Sequence, residues 1–212
     1  MPATEIHTRK DPWIRVRSSA FVVIVAATFA SCVACTGSTA GSPSPAPSAS
    51  SAPSQYLAPK VTQPITDTST VEADPCSAVA VTVVERAGGT VKTTAVDDSD
   101  LGKDCAWTFD GTGNVSGGVV RGNSDGLNGL YIQHARGALT TFQPQPPIQG
   151  YPAVVYDNGG EGSGACNLAV GIRDDLTYTV ITQLRSGNPA LENPCSMATT
   201  IANAAISHLK ES

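Results

Sequence analysis

The sequence predicts an α+β fold, in which an antiparallel sheet is flanked by an N-terminal and a C-terminal helix and is cross-linked by two disulfides. Three observations lead to this prediction. Apolar and polar residues alternate in the middle of the 212-residue chain, which is typical of strands. An Asx-Pro-Cys triplet opens a helical pattern on each side of that region. Four cysteines remain once Cys32 and Cys35 are set aside, an even number that favours disulfides.

The beginning of the chain is organised like a secretory signal peptide. A basic region between residues 9 and 17 precedes an apolar run from Ala20 to Ala34. A membrane-spanning helix needs about 20 apolar residues, whereas this run is shorter and is interrupted by Thr28 and Ser31. We therefore predict a cleaved signal peptide over residues 1–34, with a retained membrane span as the alternative.

The apolar run ends in Val33-Ala34-Cys35, which resembles a bacterial lipobox. The resemblance implies that Cys35 becomes the mature N-terminus and carries a diacylglyceryl group, and two acyl chains suffice for stable membrane anchoring. Phe29-Ala30-Ser31-Cys32 is a rival lipobox, but Cys35 is preferred because Ala34 precedes it and polar residues follow. We expect a lipid-anchored protein on the extracytoplasmic face of the cell membrane; a freely secreted protein is the alternative.

Charge argues against binding to nucleic acid. The chain has 13 basic and 18 acidic residues, and removal of residues 1–34 takes away four basic and two acidic ones. The mature chain then carries about −7, whereas nucleic-acid binding by phosphate neutralisation needs clustered Lys and Arg.

Residues 35–72 are rich in Ser, Pro and Ala and contain little that could be buried. Such a segment cannot offset its ordering entropy, so we predict a disordered tether. A Pro-rich recognition segment is the alternative, although no PxxP with basic flanks is present. Residues 73–212 are predicted to form one extracytoplasmic domain, long enough for a single hydrophobic core.

Inside this domain, a helix is predicted from Asp74-Pro75-Cys76 to Gly88-Gly89, and another after Asn193-Pro194-Cys195. Residues 130–134 are a strand or a short helix, and the Pro-rich residues 144–152 are expected to form a turn. The predicted strands are 104–109, 115–121, 153–156, 165–172 and 176–184.

Cys76, Cys105, Cys166 and Cys195 are expected to form the two disulfides, because the compartment is oxidising. Cys76 to Cys105 and Cys166 to Cys195 are equally spaced, which favours local pairing among the three possible connectivities. A redox pair or zinc site is the alternative, but CxxC and Cys-His spacings are missing.

Taken together, these motifs resemble the actinobacterial lipoproteins catalogued as domain of unknown function 3558. The resemblance implies an envelope lipoprotein with two disulfides and supplies no activity and no catalytic residues. The overall plan is also similar, more distantly, to the external sensor domains of mycobacterial receptor kinases. The resemblance covers about residues 74–209 and depends on the lipobox, the tether, Asp74-Pro75-Cys76, Cys105-Ala106-Trp107, Gly150-Tyr151-Pro152-Ala153, Cys166 and Cys195.

Ser124 is the one candidate nucleophile. Gly122-Asn123-Ser124-Asp125-Gly126 fits the G-x-S-x-G pattern of a nucleophile elbow, but that motif belongs in a parallel α/β sheet. A polar loop is the preferred interpretation, and a serine hydrolase using Ser124 is the alternative. Only the histidines His134 and His208 remain once the predicted signal peptide is removed, so few candidates are available for the base of a catalytic triad.

Two further loops are candidate binding sites. Asp97, Asp98, Asp100 and Asp104 could supply oxygen ligands to calcium but lack the register of an EF-hand, so a solvated loop is preferred. Residues 157–164 are Gly-rich and could close over a ligand, although long hairpin loops are often of this kind.

We therefore predict a membrane-anchored, non-catalytic binding domain with no cofactor and no metal. Its partner is an unidentified small molecule or envelope protein, and a structural envelope component is the further alternative. Tyr151, Tyr156 and Trp107 could line an apolar pocket between sheet and helices or belong to the core.

Overall fold

The computed structural model describes residues 56–159 and 162–212. Its centre is a seven-stranded antiparallel sheet with the strand order β1-β2-β3-β7-β6-β5-β4. The predicted α+β class is confirmed. The strands are β1 Val91–Ser99, β2 Gly102–Phe109, β3 Gly113–Val120, β4 Thr141–Ile148, β5 Tyr151–Asp157, β6 Ala165–Arg173 and β7 Leu176–Leu184.

Helices precede, interrupt and follow the strands. None of the helices in the described ranges is long and apolar enough to cross a membrane. They are α1 Ser69–Ala73, a 3-10 helix Pro75–Ala78, α2 Val81–Gly88, α3 Leu127–Ala135 and α4 Pro194–Glu211.

One face of the sheet carries the main hydrophobic core. Trp107, Leu168 and Tyr178 lie on this face and are at most 1% exposed. Helix α4 covers it with Ile201 and Ile206, which are fully buried. Burial of one such side chain contributes about 1.5–3 kcal/mol, so the packing of α4 is a main source of stability.

Each disulfide joins a helix start to a strand of the sheet. Cys76 and Cys105 attach the 3-10 helix to β2, with Cα atoms 4.8 Å apart. Cys166 and Cys195 attach β6 to α4, with Cα atoms 5.3 Å apart. The structure therefore has the local connectivity among the three possible ones.

The helix predicted after Asp74 is interrupted. The Asp74 carboxylate accepts a 3.1 Å hydrogen bond from the Cys76 amide, as expected of a capping residue. The first turn is a 3-10 helix, however, and the chain is extended at Val79 and Ala80 before α2 begins. Val79 is buried in this extended conformation, which a β-branched residue favours.

The two edge strands were missed by the sequence analysis. β1 contains Asp97 and Asp98, which suggested an acidic loop, and β4 contains Pro144, Pro146 and Pro147, which suggested a turn. Both strands lie at an edge of the sheet, where solvent solvates charges and a missing N–H costs little. Predictions from alternation and from proline content are therefore least reliable at the edges of a sheet, where β1 and β4 lie.

The packed region begins earlier than the predicted boundary at residue 73. Residues 56–65, here called the N-terminal strap, lie against the domain, and α1 follows them. Ala58, Ile65 and Val71 are buried, and the Ile65 amide donates a 3.0 Å hydrogen bond to the Ile172 carbonyl. A few spaced apolar side chains and side-chain hydrogen bonds thus order a segment whose composition predicted disorder.

Candidate ligand-binding site

The sheet has a second face, opposite α4, which we call the free face. Side chains alternate along β7, so that Tyr178 and Val180 point into the α4 core while Thr179 and Ile181 lie on the free face. The same alternation places Cys105 of β2 in the core, with its neighbours on the other side. Every second residue of the central strands therefore forms the free face.

The strand register aligns these residues in rows across the sheet. One row contains Asp104, Gly118, Thr179 and Ala169, which are paired successively along β2, β3, β7 and β6. The adjacent row runs through Ser116, Ile181, Asn167 and Tyr156. The central part of the free face is therefore built of small and polar side chains around one isoleucine and one tyrosine.

Helix α3 covers one side of the free face. Its residues Leu127 and Leu130 pack on Val154 of β5 and Ala169 of β6 and form a second, smaller core. Tyr56 of the strap packs against the same cluster. The strap therefore meets the domain on the free-face side.

A cleft of about 300 Å³ lies beside the beginning of α3. Its polar wall includes Asp104 and Ser116, and its apolar wall includes Leu101 and Leu130. Thr177 and Thr179 are among the other lining residues. The cleft therefore combines hydroxyl and carboxylate groups with apolar surface.

A second cleft, of about 660 Å³, lies nearer the end of α3. Gln133, Gln183 and Arg185 supply polar groups to its wall. Tyr156 and Ile181 line both clefts, so the two adjoin at these side chains. We call the joined clefts the free-face groove.

The groove has a carboxylate in one cleft and a guanidinium in the other. Burial raises the pKa of Asp104, the hydrogen bond with Ser116 lowers it, and the charge of Asp97 raises it, with burial as the largest cause. Asp97 is the residue directly opposite Asp104 in the β1–β2 pair. Arg185 lines the second cleft and is exposed.

The structure does not bring Ser124 together with a histidine. Ser124 is exposed in a loop in which the Asn123 amide donates to the Gly126 carbonyl. His134 lies in the last turn of α3 and stacks on Phe142, with ring centroids 4.2 Å apart. His208 lies in the last turn of α4, on the other side of the sheet. In addition, β3 leads to Ser124 from an antiparallel sheet, unlike a nucleophile elbow.

The other predicted site residues have separate positions. Asp97 and Asp98 belong to β1, Asp100 to the following turn and Asp104 to β2. Over 56–159 and 162–212, no group of three or more His, Cys, Asp or Glu residues could hold a metal ion. In the 157–164 loop, residues 160 and 161 fall outside the description.

The tyrosines and the tryptophan differ in their roles. Trp107 belongs to the main core, and Tyr151 is buried there with its hydroxyl donating a 2.8 Å hydrogen bond to the Gln63 carbonyl. Tyr156 lines the groove. Of these three residues, only Tyr156 therefore lines the groove. The groove lies on the face of the sheet opposite α4.

Two polar residues that hold the strap were missed by the sequence analysis. Asn128 of α3 accepts hydrogen bonds from the Leu57 and Ala58 amides at 2.7 and 3.2 Å. Asp174, which the sequence places in a hairpin turn, accepts one from the Val61 amide at 3.0 Å. Both contacts join residues far apart in sequence, so no local pattern could indicate them.

The predicted signal peptide, the lipidation candidate Cys35 and its rival Cys32 lie outside the described residues. Their assignment therefore stays a prediction.

Comparison with known proteins gives one match. No curated protein and no solved structure matches the chain. A family model described as protein of unknown function (DUF3558) matches residues 30–208. The matched range includes both disulfides, the strap and the groove. The chain therefore belongs to the DUF3558 family of proteins of unknown function.

Proposed function

We propose that this protein is a lipid-anchored lipoprotein on the extracytoplasmic face of the cell membrane, whose domain binds a small polar molecule in the free-face groove without transforming it. The observation that carries the binding role is the groove itself. Helices close one face of the sheet, whereas the free face keeps two adjoining clefts lined by side chains of both polar and apolar character.

The sizes of the clefts support a small-molecule ligand. Volumes of about 300 and 660 Å³ lie within the range of about 300–1,000 Å³ that is usual for such sites. Ligand sites generally combine apolar walls with a few placed polar groups. Leu130 and Ile181 supply apolar wall here, and Thr179 and Gln183 supply polar groups.

The chemistry of the lining favours a ligand with hydroxyl or amide groups. Ser and Thr hydroxyls and Asn and Gln amides can each donate and accept hydrogen bonds. Tyr156 adds an aromatic surface at the junction of the clefts. The carboxylate of Asp104 and the guanidinium of Arg185 further allow a ligand that carries opposite charges at its two ends.

The anchor in this proposal is Cys35. The family match begins at residue 30, so the lipobox-like segment lies inside the matched range. The Ser-, Pro- and Ala-rich residues that follow Cys35 then connect the anchor to the domain. The strap, with which the described part of the chain begins, meets the domain beside α3, on the same side of the sheet as the groove.

The binding role is tested by native mass spectrometry of the full-length protein extracted gently from its own membrane. The wild-type protein should carry a bound mass that denaturation releases. Ile181→Trp, which fills the junction of the clefts, should lose this mass. Thr108→Trp should keep it, because Thr108 is exposed on β2 and lines neither cleft. Equal native and denatured masses for the wild type, or equal retention by both variants, would contradict the proposal.

A further inference from the structure

The two clefts of the free-face groove share one strand as their floor. Thr177 and Thr179 of β7 line the smaller cleft, Gln183 lines the larger one, and Ile181 lines both. These four residues are alternate positions of the strand, so the floor extends over six residue steps, or about 20 Å at roughly 3.4 Å per residue. The groove is therefore elongated, and it suits a chain molecule better than a compact one.

The floor carries polar side chains that have no partner within the protein. Thr177 and Thr179 are only 5% and 8% exposed. In the part of the chain that the structure describes, neither hydroxyl is hydrogen-bonded to another residue, and the same is true of the Gln183 amide. Polar groups at buried positions are normally hydrogen-bonded. The partners of the two threonine hydroxyls must therefore come from what occupies the cleft.

We propose that the groove binds a neutral, linear oligosaccharide, which specifies the ligand of the function proposed above and rests on that function. Each sugar unit carries several hydroxyls, and hydroxyl and amide side chains can both donate to them and accept from them. Among the described residues that line the groove, only Lys103, Asp104 and Arg185 are charged. The first two belong to the smaller cleft and the third to the larger one. Neutral side chains therefore line the stretch around Ile181, where the clefts join.

An aromatic ring lies at the junction of the clefts. Tyr156 lines both of them and is partly buried against the α3 cluster. It belongs to the same row of the sheet as Ile181, with Asn167 between them. A sugar ring has an apolar face of C–H groups and a polar rim of hydroxyls. The tyrosine ring can therefore pack on the apolar face of one sugar unit while polar side chains of the groove bind the hydroxyls.

The backbone of β7 argues against an extended peptide, another chain molecule of this length. β7 pairs with β3 on one side and with β6 on the other, so its N–H and C=O groups are used within the sheet. Recognition of a peptide by strand addition requires a free sheet edge. A peptide lying on the free face would have to satisfy its backbone groups with side chains alone. An oligosaccharide has no such backbone and needs only the side-chain partners that the groove supplies.

Binding of sugars of increasing length tests the proposal. The probes are neutral oligosaccharides released from the envelope of the same cells by partial acid hydrolysis, labelled with a fluorophore at the reducing end and separated by length. The full-length protein is extracted in a detergent without a sugar headgroup, and binding is measured by fluorescence anisotropy. Affinity should rise with chain length until the probe fills the floor of the groove and then stay constant. Absence of binding at every length, or an affinity independent of length, would overturn the proposal.

Paired variants locate the bound sugar. Thr179→Val removes one hydroxyl from the floor and should weaken binding of the longest probe about tenfold. Thr108→Val is the matched control, because Thr108 is exposed on β2 and lines neither cleft. Tyr156→Leu should also weaken binding about tenfold, whereas Tyr156→Phe keeps the ring and should retain most of the affinity. Equal affinities within either pair of variants would overturn the proposed mode of binding.

Fragmentation of the mass bound to the native protein separates this proposal from the binding role on which it rests. The mass that the wild-type protein carries and Ile181→Trp loses should fragment by successive losses of single sugar units. A bound mass that fragments into amino acids, or into anything other than sugar units, would overturn the oligosaccharide and leave the binding role intact. Absence of any bound mass from the wild-type protein would contradict the binding role itself and the oligosaccharide with it.

Discussion

The carboxylate of Asp174, in the turn between β6 and β7, accepts a 3.0 Å hydrogen bond from the Val61 amide of the N-terminal strap. It also accepts bonds of 2.8 Å from the Lys60 ammonium and 3.2 Å from the Tyr56 hydroxyl. The Lys60 bond is the largest cause that lowers the pKa of Asp174, followed by the Val61 bond. Burial and the Asp174 charge raise the pKa of Tyr56 to about 12. The Asp174 carboxylate therefore joins the N-terminal strap to the turn between β6 and β7.

Asp174→Ala should release the strap while leaving the rest of the domain folded. Hydrogen bonds to charged groups contribute about 1.5–3 kcal/mol when buried, and the Asp174 side chain is 44% exposed. We expect amide hydrogen exchange at residues 57–61 to accelerate by about tenfold, corresponding to about 1.4 kcal/mol. Asp175→Ala is the control, because Asp175 pairs with Arg173 in the same turn. Unchanged exchange at the Val61 amide in Asp174→Ala would refute this role.

Asp104→Asn should stabilise the protein at neutral pH. Burial raises the pKa of Asp104 above its ordinary value of 3.8, so the folded state favours the neutral carboxyl. Ionisation therefore lowers the free energy of unfolding above the folded pKa, and this loss disappears as the pH falls below the ordinary value. The variant should raise the free energy of unfolding at pH 7 but not at pH 3. Asp98→Asn, at an exposed β1 position, should have little effect at either pH. An Asp104→Asn variant that is less stable than the wild type at pH 7 would contradict the predicted direction of the change in the free energy of unfolding.

Removal of either disulfide should destabilise the domain by a similar amount. Both close loops with a sequence separation of 29, and on the chain-entropy model such a loop contributes about 3–4 kcal/mol. Cys76→Ala with Cys105→Ala, and Cys166→Ala with Cys195→Ala, should each lower the free energy of unfolding by about 2–5 kcal/mol. Chemical denaturation measures both losses. A loss confined to one pair would show that packing around that pair, and not loop closure, sets the effect.

Tyr178→Phe should not destabilise the protein. The Tyr178 hydroxyl is buried and has no hydrogen-bond partner among the residues described, and burial raises its pKa. Because an unpaired buried hydroxyl costs about 1–3 kcal/mol, its removal should leave stability unchanged or raise it by about 1 kcal/mol. Gly117→Ala should act in the opposite direction, since a Cβ there would lie 2.9 Å from the hydroxyl oxygen. A loss of more than about 1 kcal/mol in Tyr178→Phe, measured by denaturation, would show that the hydroxyl has a partner.

The parts of the fold that follow local rules were predictable from the sequence. Cys105, Trp107 and Phe109 alternate into the core of β2, and Asn193 caps α4 with a 3.3 Å bond from the Ser196 amide. Regular alternation and an Asx-Pro helix start are reliable signals because neighbouring residues all favour the same local structure. The central strands and α4 therefore lie close to their predicted positions.

The groove could not be predicted because it arises from strand order. Asp104, Thr179 and Tyr156 belong to strands that meet only once β7 has inserted between β3 and β6. The sequence pattern identifies which residues alternate away from the core, but it does not say which strands are neighbours. Edge position likewise explains why β1 and β4 were missed, because their charges and prolines argued against a strand.

The most direct test of the account is the intact mass of the protein extracted from its own membrane and then denatured without reduction. The account predicts the mass of residues 35–212 with a diacylglyceryl group on Cys35, less four hydrogens for the two disulfides. A chain that begins elsewhere, carries no lipid or keeps four free thiols would contradict the anchored, disulfide-linked binding protein proposed here.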